Sequence, residues 1–260
     1  MSKGPENDRT TRSDRSDWIR RFKPAEQAPC RLVCFPHAGG SASYFHGLTQ
    51  RLAPDVDVLS VQYPGRQDRS AEPSQQSVTD LADQAYEALK PWTGKPLALF
   101  GHSMGAIVAF EVALRLAADG TVPLRLFPSG RRAPSRFREE NVHLRDDDAL
   151  LREVASLAGT DSALLADPDV RRMILPSLRA DYRAIETYRH TGGKRLDCPV
   201  LALAGADDPK APLDDVRAWG EHTTQGFGLE VFPGGHFYLN DETAAVAALL
   251  RSQLAAAAGG

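Results

Sequence analysis

Short, almost continuous apolar runs that end in glycine or proline recur along the chain: RLVCFP, VDVLSVQYPG, PLALFG, LRLFPSG, PVLALAG and LEVFPGG. A strand sheltered on both faces needs such unbroken apolar character, whereas a half-exposed strand alternates, so these six runs read as parallel strands. Between them lie amphipathic stretches with apolar residues three and four apart, which predict helices over about 43–53, 77–91, 104–118, 212–222 and 241–255. The repeated strand, loop, helix order predicts an α/β fold with a mostly parallel, doubly wound sheet. Right-handed crossovers then place the C-terminal ends of the strands, and with them any active site, along one edge.

One interval breaks this rhythm. From Arg131 to Lys194 no strand-like run occurs, but DDALLREVASLAG and DPDVRRMILPSLRADYRAIETY both carry apolar residues at helical spacing. Asp146 to Asp148 suit the positive end of a helix, and Pro168 suits a first helical turn. The chain therefore divides into a hydrophilic N-terminal tail over 1–17, a core over 18–130 and 195–260, and a helical insertion over 131–194 expected to act as a lid.

Composition narrows the partners. With 260 residues, 42% of them hydrophobic, the chain is long enough to bury one large core. A net charge of −3 offers no polycationic surface for nucleic acid, and no apolar run approaches the roughly 20 residues that span a bilayer. Neither nucleic acid nor membrane is expected as a partner. The three cysteines, Cys30, Cys34 and Cys198, include no C-x-x-C pair, so neither a disulfide framework nor a zinc knuckle is indicated. The charged opening residues lack the apolar core of a secretory signal, which makes a cytoplasmic location the expectation. A monomer is expected.

The candidate chemistry starts at Gly101-His102-Ser103-Met104-Gly105. This G-x-S-x-G stretch falls between a predicted strand and a predicted helix, the context in which a sharp turn lifts a serine hydroxyl above a sheet edge. Glycines on both sides avoid the collisions that side chains would suffer in so tight a bend. The turn also points the Met104 amide at the same region, where the start of a helix favours negative charge.

A serine hydroxyl is a weak nucleophile until a histidine takes its proton and a carboxylate orients that histidine. In this class of site the chain order is serine, acid, histidine. Of the seven histidines, His236 alone follows a late strand in a glycine-lined loop. His102 sits beside the serine on a turn where adjacent side chains diverge, so it is read as packing, while His46, His143, His190 and His222 are read as ordinary surface or packing residues. Two acids compete in the loop after PVLALAG: Asp208 has the favoured G-x-x-D spacing, Asp207 is the alternative, and the loser is expected to cap the helix after Pro212 or bond within the turn. The second amide of an oxyanion hole is sought in His37-Ala38-Gly39-Gly40, with Ala38 the first choice and Gly39 in reserve. Met173, Ile174, Leu178, Tyr182 and Ile185 form a helical stripe in the insertion; Met173 and Tyr182, with His37, are candidate substrate contacts. Arg131, Arg132, Arg136 and Arg138 form a basic cluster that could receive an acidic partner protein, but it is read as a solvated face because Glu139 and Glu140 follow at once.

Taken together, FPHAGGSASYF, YPGRQDR, FGHSMGAIVAFEVA, GADDP and FPGGHFYL resemble the type II thioesterases, the external editing enzymes of polyketide and nonribosomal peptide synthesis. The likeness runs from about Trp18 to the end of the chain. It implies an α/β-hydrolase fold with a helical lid, and hydrolysis of acyl groups from the phosphopantetheine arm of acyl or peptidyl carrier protein domains. Position by position it implies Ser103 as nucleophile, Asp208 as acid, His236 as base, and Ala38 and Met104 as oxyanion donors. It implies no cofactor, since the phosphopantetheine arrives with the substrate. A small-molecule carboxylesterase or lipase would use the same three side chains, and a non-catalytic binding protein of the same fold is the other alternative.

Overall fold

The computed structural model describes residues 17–157 and 167–258. The tail anticipated over 1–17 thus lies almost wholly outside the described residues. Seven strands form one sheet: β1 (Ile19–Arg20), β2 (Arg31–Phe35), β3 (Asp57–Val61), β4 (Leu97–His102), β5 (Leu126–Ser129), β6 (Val200–Gly205) and β7 (Phe227–Phe232). Their spatial order is β1-β3-β2-β4-β5-β6-β7. All six anticipated strands are present and pair in parallel. The additional β1 pairs antiparallel with β3, Ile19 opposite Val61. Two residues are too few to show any periodicity, which is why this strand left no trace in the pattern.

The described residues include seven α-helices: α1 (His46–Leu52), α2 (Val78–Leu89), α3 (Met104–Ala118), α4 (Asp147–Ser156), α5 (Pro168–Thr187), α6 (Leu213–Arg217) and α7 (Thr243–Ala258). The helix expected over 212–222 divides into α6 and a tighter 3-10 turn, Ala218–His222. One apolar cluster lies under α2 and α3, built from residues such as Leu81, Val108, Phe110 and Trp219; a second lies under α1 and α7, with Phe45, Phe100 and Leu250. The sheet is therefore covered on both faces, and every residue of β4 is buried. β7 departs from the expectation of full burial: Val231 is 44% exposed. As the last strand it has a neighbour on one side only, so a continuous apolar run here marks an edge rather than a centre.

Between β5 and β6 the insertion is helical. Asp146 caps α4 by accepting from the Ala149 amide at 2.7 Å, and Asp167 caps α5 by accepting from Asp169 at 2.8 Å, with Pro168 in the first turn. The insertion has a small apolar cluster of its own, Val142, Leu150, Leu151 and Leu178. Farther along α5, Ala184 and Ile185 join the main core. The helical insertion is thus anchored at one end to the main core and packed at the other on itself.

Candidate active site

Ser103 is the single residue between β4 and α3. Its backbone sits at φ 55°, ψ −118°, a conformation unfavourable for a residue with a side chain. The flanking glycines explain how the chain tolerates it. A Cβ on Gly101 would lie 2.1 Å from the Gly105 carbonyl oxygen, and one on Gly105 would lie 2.1 Å from that of Phe35. Backbone meets backbone at both positions, so no rotamer change could relieve the clash.

The other two members arrive from loops laced together by their main chains. The Ala206 amide donates to Phe232 at 2.8 Å and the Asp207 amide to Gly234 at 3.0 Å, joining the loop after β6 to the loop after β7. Gly205 lies so close to this second loop that a Cβ there would meet the Gly235 oxygen at 2.2 Å. Within this lacing Asp208 turns inward and Asp207 outward. His236 Nδ1 is 2.8 Å from Asp208 Oδ2, and His236 Nε2 is 2.9 Å from Ser103 Oγ. The Lys210 amide donates to the other Asp208 oxygen at 2.8 Å. The expected capping role of Asp207 is not seen: the position before α6 is Pro212, with no side-chain cap, and Asp207 contributes its backbone amide instead. Asp208 is buried while Asp207 is exposed, which settles which carboxylate meets the imidazole.

Opposite the serine, Ala38 and Met104 line the same cavity, and neither amide is spent on another group among the described residues. The reserve candidate Gly39 is occupied: its N–H donates to Asp181 Oδ2 at 2.7 Å. Asp181 is buried on α5 and also pairs with the buried Arg66 of the YPGRQDR stretch. Helix α5 is therefore tied directly to the loop that carries Ala38. Sequence reasoning missed this residue, although the signal was present: an aspartate at helical spacing within the stripe of Leu178, Tyr182 and Ile185 is a buried charge in search of a partner.

His37 and His102 form the wall behind the imidazole. His102 Nδ1 lies 2.9 Å from Ser129 Oγ, and its ring centre lies 5.3 Å from that of His236, consistent with a packing role. Burial, and after it the proximity of His236, depresses the His102 pKa well below the usual histidine value. The same causes, with Arg66 as a third, pull His37 down to about 3, so it stays neutral. Of the helical stripe, Tyr182 and Ile185 line the cavity, as does the candidate contact His37. Leu178 packs within the lid's own cluster, with Ile174 against it. Met173 is a correction: it is 64% exposed and far from any role in the cavity lining. A helix of this length has both a cavity-facing and a solvent-facing turn, and spacing alone does not say where along its length contact ends.

The basic cluster also divides. Arg132 pairs with Glu140 at 2.5 Å, Arg136 with Glu221 at 2.5 Å and Arg138 with Asp215 at 3.4 Å. Arg131 turns into the cavity, where Glu140 and Lys210 also lie. The solvated-face expectation thus describes Arg136 and Arg138 but not Arg131 or the buried Arg132. The signal for Arg131 was its place immediately after the glycine that follows β5, on the edge where the serine emerges.

A parallel sheet, a strained serine between strand and helix, and the order Ser103, Asp208, His236 define an α/β-hydrolase. The chain belongs to the thioesterase family: the model of the thioesterase domain matches residues 30–254. It is 53% identical over 237 residues to thioesterase PikA5 of Streptomyces venezuelae, covering 90% of this chain and 84% of that protein. It is 50% identical over 229 residues to a probable cadicidin biosynthesis thioesterase of Streptomyces griseus, covering 88% of this chain and 63% of that protein's length. The structure of the type II thioesterase BorB from the borrelidin biosynthetic cluster superposes with a TM-score of 0.87 at 46% identity, covering 92% of this chain and 98% of that one. The chain is accordingly a hydrolase of thioesters.

Proposed function

We propose that this thioesterase releases acyl groups from the phosphopantetheine arm of acyl or peptidyl carrier domains, in an editing role for a polyketide or nonribosomal peptide synthase. The observation that carries the chemistry is the unbroken path from Asp208 through His236 to Ser103 Oγ, with contacts of 2.8 and 2.9 Å. The observation that carries the substrate is the likeness to type II thioesterases of biosynthetic clusters.

Ser103 Oγ attacks the thioester carbonyl carbon as its proton passes to His236 Nε2, and Asp208 holds the imidazolium that forms. The Ala38 and Met104 amides receive the negative oxygen of the tetrahedral intermediate; losing one such donor costs about 10² to 10³ in rate. The C–S bond then breaks and the thiol leaves with the proton from His236. A water molecule, deprotonated by His236, opens the acyl-serine to carboxylic acid and free Ser103. Every proton is handled by His236, and this sequence draws on no metal or cofactor. The same reading takes the protein as a cytoplasmic monomer.

The test offers matched acyl groups on a carrier protein, on coenzyme A and as oxygen esters. The expected result is the highest kcat/KM on the carrier, with Ser103→Ala lowering kcat by about 10⁶ in each case. Faster cleavage of free esters than of any thioester would favour a carboxylesterase, and turnover unchanged in Ser103→Ala would exclude this site altogether.

A further inference from the structure

Behind the imidazole lie three buried polar side chains that the reaction does not use: His102, Ser129 and Tyr238. His102 ends β4 and directly precedes the nucleophile, Ser129 ends β5 beside it in the parallel register, and Tyr238 stands two residues past His236. They form one chain of contacts. Ser129 Oγ lies 2.9 Å from His102 Nδ1 and 2.6 Å from the Tyr238 hydroxyl, while His102 Nε2 has no hydrogen-bond partner among the described residues. If Tyr238 donates to Ser129 and Ser129 donates to His102 Nδ1, only the Nε2 hydrogen is left over. The reverse order strands both the Tyr238 hydrogen and the Nε2 lone pair, so the first order is favoured. It requires a neutral His102, in keeping with the depression of its pKa by burial and then by His236.

Both ends of this chain reach the catalytic residues through the backbone. At one end His102 shares a peptide bond with Ser103, whose amide donates to the Ser129 carbonyl at 2.8 Å. At the other, the Tyr238 amide donates to the Gly235 carbonyl at 3.2 Å, closing a turn that contains His236. The Tyr238 ring is also stacked on Phe232 of β7, with 5.3 Å between ring centres. Between the two ends there is no slack: a Cβ on Gly130, the residue after Ser129, would lie 2.8 Å from the His102 ring and 3.5 Å from the His236 carbonyl oxygen. Apolar contact alone would hold these elements together yet let them slide, whereas a hydrogen bond fixes both distance and direction.

We infer that His102, Ser129 and Tyr238 are positioning residues: a buried strut of hydrogen bonds that sets the loop of the base against the turn of the nucleophile and so holds His236 Nε2 at 2.9 Å from Ser103 Oγ. The inference rests on the reading of Ser103 and His236 as nucleophile and base of a thioesterase. None of the three residues lines the cavity, so substrate does not bind to them. A displacement of about 1 Å between reacting groups costs about 10²-fold in rate, and the loss of the strut therefore falls on kcat rather than on KM.

The experiment replaces Ser129 by threonine and by valine, side chains of one shape of which only threonine keeps a hydroxyl, and removes the other hydroxyl in Tyr238→Phe. Rates are measured on an acyl N-acetylcysteamine thioester and, independently of any thioester, as inactivation by diethyl p-nitrophenyl phosphate. In that inactivation Ser103 Oγ bonds to phosphorus, its proton passes to His236 and p-nitrophenolate leaves. Ser129→Val and Tyr238→Phe are each expected to lower kcat and the inactivation rate about 10- to 100-fold with KM within about twofold, and the double variant to go no lower. Ser129→Thr is expected to stay within about threefold of the wild type, as rescue by the conservative variant requires. Denaturation midpoints above the assay temperature establish that each variant is folded; Tyr238→Phe adds no atom to the core and decides the matter alone should the variants at 129 not fold. Wild-type kcat in Tyr238→Phe, or Ser129→Val no slower than Ser129→Thr, would leave these residues a structural role only and overturn the inference, whatever the change in stability. Inactivation by the phosphate ester that needs the strut, in a protein inactive on every thioester, would keep the strut and discard the thioesterase reading.

Discussion

Around Ser103 the chain is confined by backbone packed on backbone, whereas over the cavity the helical insertion is confined largely by charge. At the serine turn, glycines at 101 and 105 leave 2.1 Å between a hypothetical Cβ and a neighbouring carbonyl oxygen. In the lid, the decisive contact is a buried carboxylate, Asp181, held between Arg66 and the Gly39 amide. Packing of the first kind is rigid and insensitive to solution conditions. Pairing of the second kind is strong only while both partners are present, since breaking a buried pair strands a charge. The serine turn thus rests on the sheet, while the loop that carries Ala38 is tied to the helical insertion through Asp181.

The largest effect should come from the rigid region. Gly101→Ala is expected to lower folding stability by about 3 kcal/mol or more, or to prevent folding, whereas Gly94→Ala, with open space around it, should be close to neutral. Chemical denaturation of the two variants measures the contrast. Next, Asp181→Ala should cost about 3–5 kcal/mol by leaving Arg66 buried and unpaired. Replacing both partners by apolar residues, Arg66→Met with Asp181→Leu, should recover most of that stability but leave kcat about 10- to 100-fold low, because nothing then holds the Gly39 amide. Full recovery of kcat in the double variant would show that the tie between lid and oxyanion loop has no part in catalysis.

A third test titrates a histidine remote from the serine. Burial, and then the neighbouring His190, lowers the His222 pKa to about 4, and its Nε2 accepts from the Ser135 amide at 3.3 Å. Between about pH 6.5 and 4 the unfolded chain binds a proton there that the folded chain does not, so stability should fall as pH falls, by up to about 1.4 kcal/mol per pH unit. Denaturation midpoints measured across that window should fall less steeply in His222→Gln by this one group's share, the slope that remains coming in part from His37 and His102. The smallest effect belongs to the outer turn of the lid: Met173→Ala should leave both stability and kcat/KM within about twofold, as expected of an exposed side chain. A larger loss would mean that this part of α5 folds back over the cavity during turnover.

Much of the site was legible before any coordinates. G-x-S-x-G between a strand and a helix announces a serine turn because the steric demand is local, and His236 stands out by its place after the last strand. The choice between Asp207 and Asp208 was harder, since adjacent residues differ only in which way the loop turns them, and that is set by hydrogen bonds from Ala206 and Asp207 to Phe232 and Gly234. The lid stripe was read as one face, yet it separates into Met173 in solvent, Leu178 within the lid and Tyr182 at the cavity.

What the amino-acid order determined by itself was local: six strands, their flanking helices and the strained serine turn, each written within a few consecutive residues as apolar runs, helical spacing and paired glycines. Only the tertiary structure decided which charges meet. Asp181 reaches Gly39 across 142 positions and His236 reaches Ser103 across 133, while Glu140 is claimed by Arg132. Periodicity reports which face of an element is apolar; the partner of a single buried charge is chosen by distances that exist only once the chain has folded.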